Sequence, residues 1–125
     1  MYTELTQGIR VDVDPEYLAS ESSPGQFVFA YHITITNEGA TTVQLVSRHW
    51  VITDSQDHVE EVKGPGVIGQ TPVLKPGEKH AYSSFCILPT TNGTMRGSFQ
   101  MTNHLGAQFD VKVPLFFLLQ DEVLH

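Results

Sequence analysis

The segment Lys63-Gly64-Pro65-Gly66-Val67-Ile68-Gly69 spaces its glycines as Gly-x-Gly-x-x-Gly, the pattern by which a tight turn between strand and helix holds a pyrophosphate. That chemistry needs a helix next, whose first N–H groups grip the phosphate. Here Gln70-Thr71-Pro72-Val73-Leu74-Lys75-Pro76-Gly77 follows, and Pro72 and Pro76 would break a helix within its first turns. A helix-free version remains: an anion nest in which the amides of Gly64, Gly66 and Gly69, beside Lys63, converge on a phosphate or nucleotide. Lys75 and Lys79 also flank the segment. With a formal net charge of -7, such a ligand would have to bring a divalent cation with it. Pro65 removes one donor. The opposing reading is a structural loop that crosses between sheets, with glycine where φ is positive or packing is close. It is preferred, because this glycine pattern without its strand-to-helix setting says little about phosphate.

A second group is Asp54-Ser55-Gln56-Asp57-His58-Val59-Glu60-Glu61. The carboxylates of Asp54 and Asp57 suit Mg²⁺, and His58 beside them suits Co²⁺. The spacing matches no calcium loop, however, and Asp-Ser-Gln-Asp also reads as a hairpin turn. The six histidines (His32, His49, His58, His80, His104 and His125) show no pair at the short spacings of a metal site. A solvated turn is expected, and no metal or other cofactor is assigned. Catalysis has less to start from: there is no Gly-x-Ser-x-Gly elbow, no His-Glu-x-x-His, and no phosphate loop ending in Gly-Lys-Ser/Thr. Cys86, the one cysteine, sits in the strand-like run Phe85-Cys86-Ile87-Leu88 and reads as a buried, inert thiol. An enzyme is not expected. Arg48, His49 and Trp50 are residue types common at interface hot spots and form a candidate interaction surface, against the plainer reading that Trp50 fills a core. The apolar run Leu115 to Leu119, followed by residues 120–125, either covers the core or presents an adhesive strip.

The elements that must position these residues are strands. Phe27, Phe29, Tyr31, Ile33 and Ile35 alternate with residues that mostly suit a solvent face. Met95, Gly97, Phe99 and Met101 do the same, as do Phe109, Val111, Val113 and Leu115, which are expected to point inward. One polar face per strand marks antiparallel sheets covered on one side. Leu74-Lys75-Pro76-Gly77-Glu78 has Pro and Gly where a type II turn needs them, and Asn37-Glu38-Gly39, Asn92-Gly93 and Asn103-His104-Leu105-Gly106 supply further breaks. The first strand is expected at about Ile9 to Val13, and Ser20 to Gly25 as a surface loop. The pattern predicts one all-β domain over residues 1–125, a sandwich of seven or eight antiparallel strands. One strand switches parity, from Val43 and Leu45 to Val46, Trp50 and Ile52, which requires a bulge near Ser47-Arg48-His49. Exposed edge strands would make self-pairing possible, as in most sandwiches.

The stretches Val43–Asp54 and Glu61–Pro72, with Leu74–Glu78, Tyr82-Ser83-Ser84, Gly93–Met101, Phe27–Tyr31 and Val113–Phe116, strongly resemble the ApaG family, also called CorD. The resemblance covers nearly the whole chain. It implies a fibronectin type III-like or immunoglobulin-like β-sandwich and a stand-alone bacterial protein. Eukaryotic relatives carry the domain attached to others, such as F-box regions, where it looks like a protein-interaction module. It also implies a loose link to cobalt and magnesium tolerance, and it brings no catalytic residues. Ile68 replaces a valine of the family's Gly-x-Gly-Val-Val-Gly segment. Together these readings predict a non-enzymatic module binding an unidentified protein partner, with phosphate, nucleotide or a divalent cation as weaker possibilities. The pI of about 5.2 argues against a nucleic-acid partner. The longest apolar run falls far short of the ~20 residues of a membrane span, and the N-terminus lacks the basic and apolar regions of a signal peptide. A cytoplasmic protein is expected, a compartment the single cysteine also suits.

Overall fold

The computed structural model describes residues 1–120. It contains nine strands: β1 (Tyr2–Thr6), β2 (Ile9–Tyr17), β3 (Phe27–Asn37), β4 (Val43–Asp54), β5 (Val59–Pro65), β6 (Val73–Leu74), β7 (Lys79–Leu88), β8 (Asn92–Asn103) and β9 (Gln108–Leu119). A 3-10 turn over Ala19–Glu21 lies in the loop between β2 and β3. The count exceeds the expected seven or eight because β1 precedes the expected first strand and β6 has only two residues.

The strands form two antiparallel sheets, one ordered β1-β2-β3-β7 and the other β5-β4-β8-β9, with β6 also pairing with β4. They pack as a fibronectin-like sandwich, in which alternate side chains from each sheet share one core. Phe29, Phe99 and Phe116 are fully buried, and Trp50 is 3% exposed. Its ring centroid lies 5.5 Å from that of Tyr31 and 6.1 Å from those of Phe99 and Phe116, in edge-on contacts. Trp50 is therefore a core residue.

Two bulges re-aim strands. In β4 the register shifts between Leu45 and Ser47, so Val46 is the extra residue, just ahead of the expected site. Past it, Arg48, Trp50 and Ile52 turn toward the space between the sheets. In β9 the register shifts against Met95 and Gly97, leaving Pro114 and Leu115 opposite Arg96 alone. Pro114 has no N–H to give to a ladder and suits a bulge. The resulting parity switch corrects the expectation that Leu115 points inward: Leu115 is 45% exposed, while Phe116 and Leu118 are buried. The run Leu115 to Leu119 therefore covers the core with one face and exposes Leu115 and Phe117 on the other. Residues 121–125 lie outside the described residues.

Two turn expectations also change. Asn92-Gly93 begins β8 instead of breaking the chain; glycine stands at 93 because a side chain there would collide with the Thr53 carbonyl oxygen. The glycine-rich segment does not cross between sheets, since β5 and β6 both pair with β4. The crossing is made by the Lys75–Glu78 turn, where Gly77 has φ +87 and the Glu78 amide donates to Lys75 O at 2.9 Å. Buried Asn37 ties that turn down: its carbonyl accepts from the Gly77 amide, and its side-chain amide donates to the Thr41 and Leu74 carbonyls.

Candidate functional site

The two long sides of the sandwich differ. On one, β1 and β2 come against β9 and close the core. On the other, the sheets end in β5 and β7, and a cleft of about 620 Å³ opens between them. Its floor is Tyr31, Trp50 and Met95; its walls include Arg48, Ile52 and Val62 on one sheet and Tyr82, Ser84 and Cys86 on the other. Val67, Ile68 and Gly69 form part of the rim.

The bulge at Val46 links this cleft to the glycine-rich segment. Arg48 Nη1 donates to the carbonyls of Pro65 at 2.9 Å and Gly66 at 3.0 Å, while the Gly66 amide donates to Val46 O at 2.8 Å. The three glycines have separate structural reasons. Gly64 makes room for the Arg48 guanidinium. Gly66, at φ +61, would collide with the Gln70 carbonyl oxygen if it carried a Cβ. Gly69 and Ile68, at φ +72 and +47, are the central residues of a type I′ turn closed between Val67 and Gln70. The Gly66 and Val67 amides are engaged, and the segment directs two carbonyls, not amides, at its nearest cation. Among the described residues, Ile68 and Gly69 are the loop amides without a hydrogen-bond acceptor. Lys63 alternates to the face of β5 opposite the cleft, paired with His49.

Arg48, His49 and Trp50 do not share a face. Arg48 and Trp50 line the cleft, whereas His49 points outward and meets Glu61 at 3.0 Å. Asp54, Asp57 and His58 do come together, as a turn. The Asp54 carboxylate accepts from the Gln56 amide at 2.8 Å, the His58 amide at 3.1 Å and the His58 ring at 3.2 Å, and Asp57 holds φ +63. Desolvation works against this carboxylate, but those three donors outweigh it and hold its pKa below the ordinary value. Among the described residues no three His, Cys, Asp or Glu side chains gather as a metal site would require.

Sequence reading missed two features. Across β7, β3 and β2, the Ser83 hydroxyl lies 2.6 Å from His32 Nδ1, and Glu16 lies 3.1 Å from His32 Nε2. The order Ser–His–Glu is that of a hydrolase relay, but it lies on the exposed outer face of the sheet and none of the three lines the cleft. Only the strand register brings residues 16, 32 and 83 together. The second is the hydroxyl of Tyr82, a buried polar atom without a hydrogen-bond partner among the described residues. Period-two alternation could have placed Tyr82 inward, but not its lack of a partner.

Together these define a two-sheet β-sandwich with one closed side and one open, cleft-bearing side. Residues 17–103 match the ApaG domain, and the chain belongs to the ApaG family. It is 53% identical over 120 residues to Protein ApaG of Rhodospirillum centenum and 50% identical over 120 residues to that of Paramagnetospirillum magneticum, in each case 94% of this chain and 92% of the relative. Among solved structures, the ApaA protein of Bordetella pertussis superposes with a TM-score of 0.89 at 44% identity, over 92% of this chain and 95% of that one. The C-terminal domain of wzt, at 11% identity and a TM-score of 0.56 over 98% of this chain and 79% of that one, shares the fold alone. No helix among the described residues is long and apolar enough to cross a membrane.

Proposed function

We propose that the chain is a non-enzymatic binding module that receives an extended segment of a partner protein along the open side of its sandwich. One observation carries this reading. Among the described residues β7 pairs only with β3, and along Tyr82–Leu88 its free edge has no charged residue and no proline. Native edges are ordinarily guarded by charge, proline or a covering element. An unguarded one is the template used in recognition by strand addition. Phe85 and Ile87, 65% and 54% exposed, lie on the outer face of the same stretch. Ile68 on the cleft rim fits this reading: it is 62% exposed at positive φ, a conformation costly for a β-branched residue. The loose link to cobalt and magnesium tolerance would then act through the partner.

The test is a capture experiment on native chain and on a Phe85→Arg/Ile87→Lys variant, with thermal unfolding as the control for folding. Exposed substitutions of this kind shift stability by about 0.5 kcal/mol or less. The reading expects a partner that the native chain and a Leu115→Arg/Phe117→Lys variant both retain and the β7 variant loses. Equal capture by all three would overturn it.

A further inference from the structure

We propose that the inner end of the cleft is a binding site for a small organic monocarboxylate with an apolar body. Two groups in the cleft ask for such a ligand. Arg48 spends both Nη1 protons on the Pro65 and Gly66 carbonyls, which leaves its Nε and Nη2 edge without an acceptor among the described residues. None of the ion pairs there includes it. That remaining edge is a planar fork, matched to the two oxygens of a carboxylate. Tyr82 lines the same cleft, and its hydroxyl is buried and without a hydrogen-bond partner among the described residues. A buried polar group left unsatisfied is costly, and native sites that keep one commonly do so for a ligand.

Charge selects the class. One guanidinium balances one negative charge, and Glu60 also lines the cleft of a chain with net charge -7. A phosphate dianion would meet too little positive charge here, whereas a monoanion is matched. Much of the remaining lining is apolar, including Trp50, Ile52, Val62 and Met95, so the ligand's body is hydrocarbon or aromatic. The volume of about 620 Å³ lies within the usual range for small-molecule sites. Burial raises the pKa of both Tyr31 and Tyr82, so their hydroxyls stay protonated at neutral pH and can donate.

The chain has a single tryptophan, Trp50, and it lies in the cleft, so its fluorescence reports occupancy directly. Phenylacetate is the probe, with phenylacetamide as its neutral isostere and phenyl phosphate as the dianion. Phenylacetate should give a saturable change with a dissociation constant on the order of 1 mM, as befits so small a ligand. Phenylacetamide and phenyl phosphate should each bind at least tenfold more weakly. Tyr82→Phe should weaken phenylacetate about tenfold while leaving the unfolding midpoint unchanged or raised, because it removes only an unsatisfied hydroxyl. Arg48→Gln should abolish binding, and Tyr82→Phe keeps the test decisive if that variant fails to fold. A flat titration to about 50 mM, equal binding of the amide, tighter binding of phenyl phosphate, or an unaffected Tyr82→Phe variant would each overturn the assignment. The titration reads phenylacetate binding to the isolated chain, so its outcome is independent of partner docking along β7.

Discussion

The guanidinium of Arg48 lies over Gly64: a Cβ at that position would sit 3.0 Å from Nη1, 3.1 Å from Nη2 and 3.2 Å from Cζ. The Gly-x-Gly-x-x-Gly spacing thus begins with a glycine that accommodates an arginine. The same arginine holds the segment's carbonyls, so the motif and β4 form one mechanical unit.

The three glycines should therefore fail differently. Gly66→Ala drives a methyl group into the Gln70 carbonyl oxygen at φ +61, where nothing flexible can yield, and should cost about 3 kcal/mol or more. Gly69→Ala meets nothing within 4 Å and bears only the cost of positive φ, about 1 kcal/mol. Gly64→Ala should cost about 1–2 kcal/mol as the arginine end gives way and its loop hydrogen bonds loosen. Urea denaturation without added phosphate checks the ranking. Equal, negligible costs at all three sites would mean that the glycines are not there for architecture.

Much of this fold was legible because the core faces follow period two, as in Phe27 to Ile35. Legibility failed where a strand changed period within itself. Leu115 looked inward because a bulge at Pro114 cannot be seen without its partner strand, whereas the β4 bulge betrayed itself by switching apolar parity within one strand. The cleft was illegible for a related reason. Arg48, Tyr82 and Ser84 meet only once two sheets are stacked and one side is left open, and sequence spacing carries neither fact. The Ser83–His32–Glu16 relay likewise depends on register across three strands.

Ile68 offers a gain of stability. It is the first central residue of a type I′ turn, where asparagine is favoured and a β-branched side chain is strained. Ile68→Asn should raise the unfolding free energy by about 1 kcal/mol in urea denaturation. Under the proposed function it should also weaken partner capture, since an exposed apolar residue on the cleft rim is lost. Higher stability with undiminished capture would show that Ile68 has no part in binding.

Asp54 sets an acid limit. Its carboxyl is held below the ordinary value of 3.8, so the folded chain takes up this proton less readily than the unfolded chain does. The contribution is fully present above about pH 4 and disappears as the pH falls through the folded value. Asp54→Asn should lower stability at neutral pH and flatten the acid limb of the stability–pH curve. A variant whose curve keeps the native acid slope would assign that slope to other carboxylates.

Cys86 sets an alkaline limit by the opposite sign. Burial, reinforced by the charge of Glu60, pushes its thiol up from 9.0 to about 11. The folded chain therefore holds this proton after the unfolded chain has released it, and the associated stability, complete below about pH 9, drains away as the pH rises toward 11. Two units correspond to about 3 kcal/mol, at roughly 1.4 kcal/mol per unit. Burial of Tyr31 and Tyr82 adds loss of the same sign, so Cys86→Ala should shallow the alkaline limb without abolishing it. At about pH 8 the native thiol should react with iodoacetamide about 100-fold more slowly than a free cysteine, from its smaller thiolate fraction alone. Glu60→Gln should speed that reaction, because it removes the second of the two causes and leaves burial in place. An unchanged rate would mean that the Glu60 charge does not reach the cleft interior, and with it would go the part of the case against a dianionic ligand that rests on Glu60.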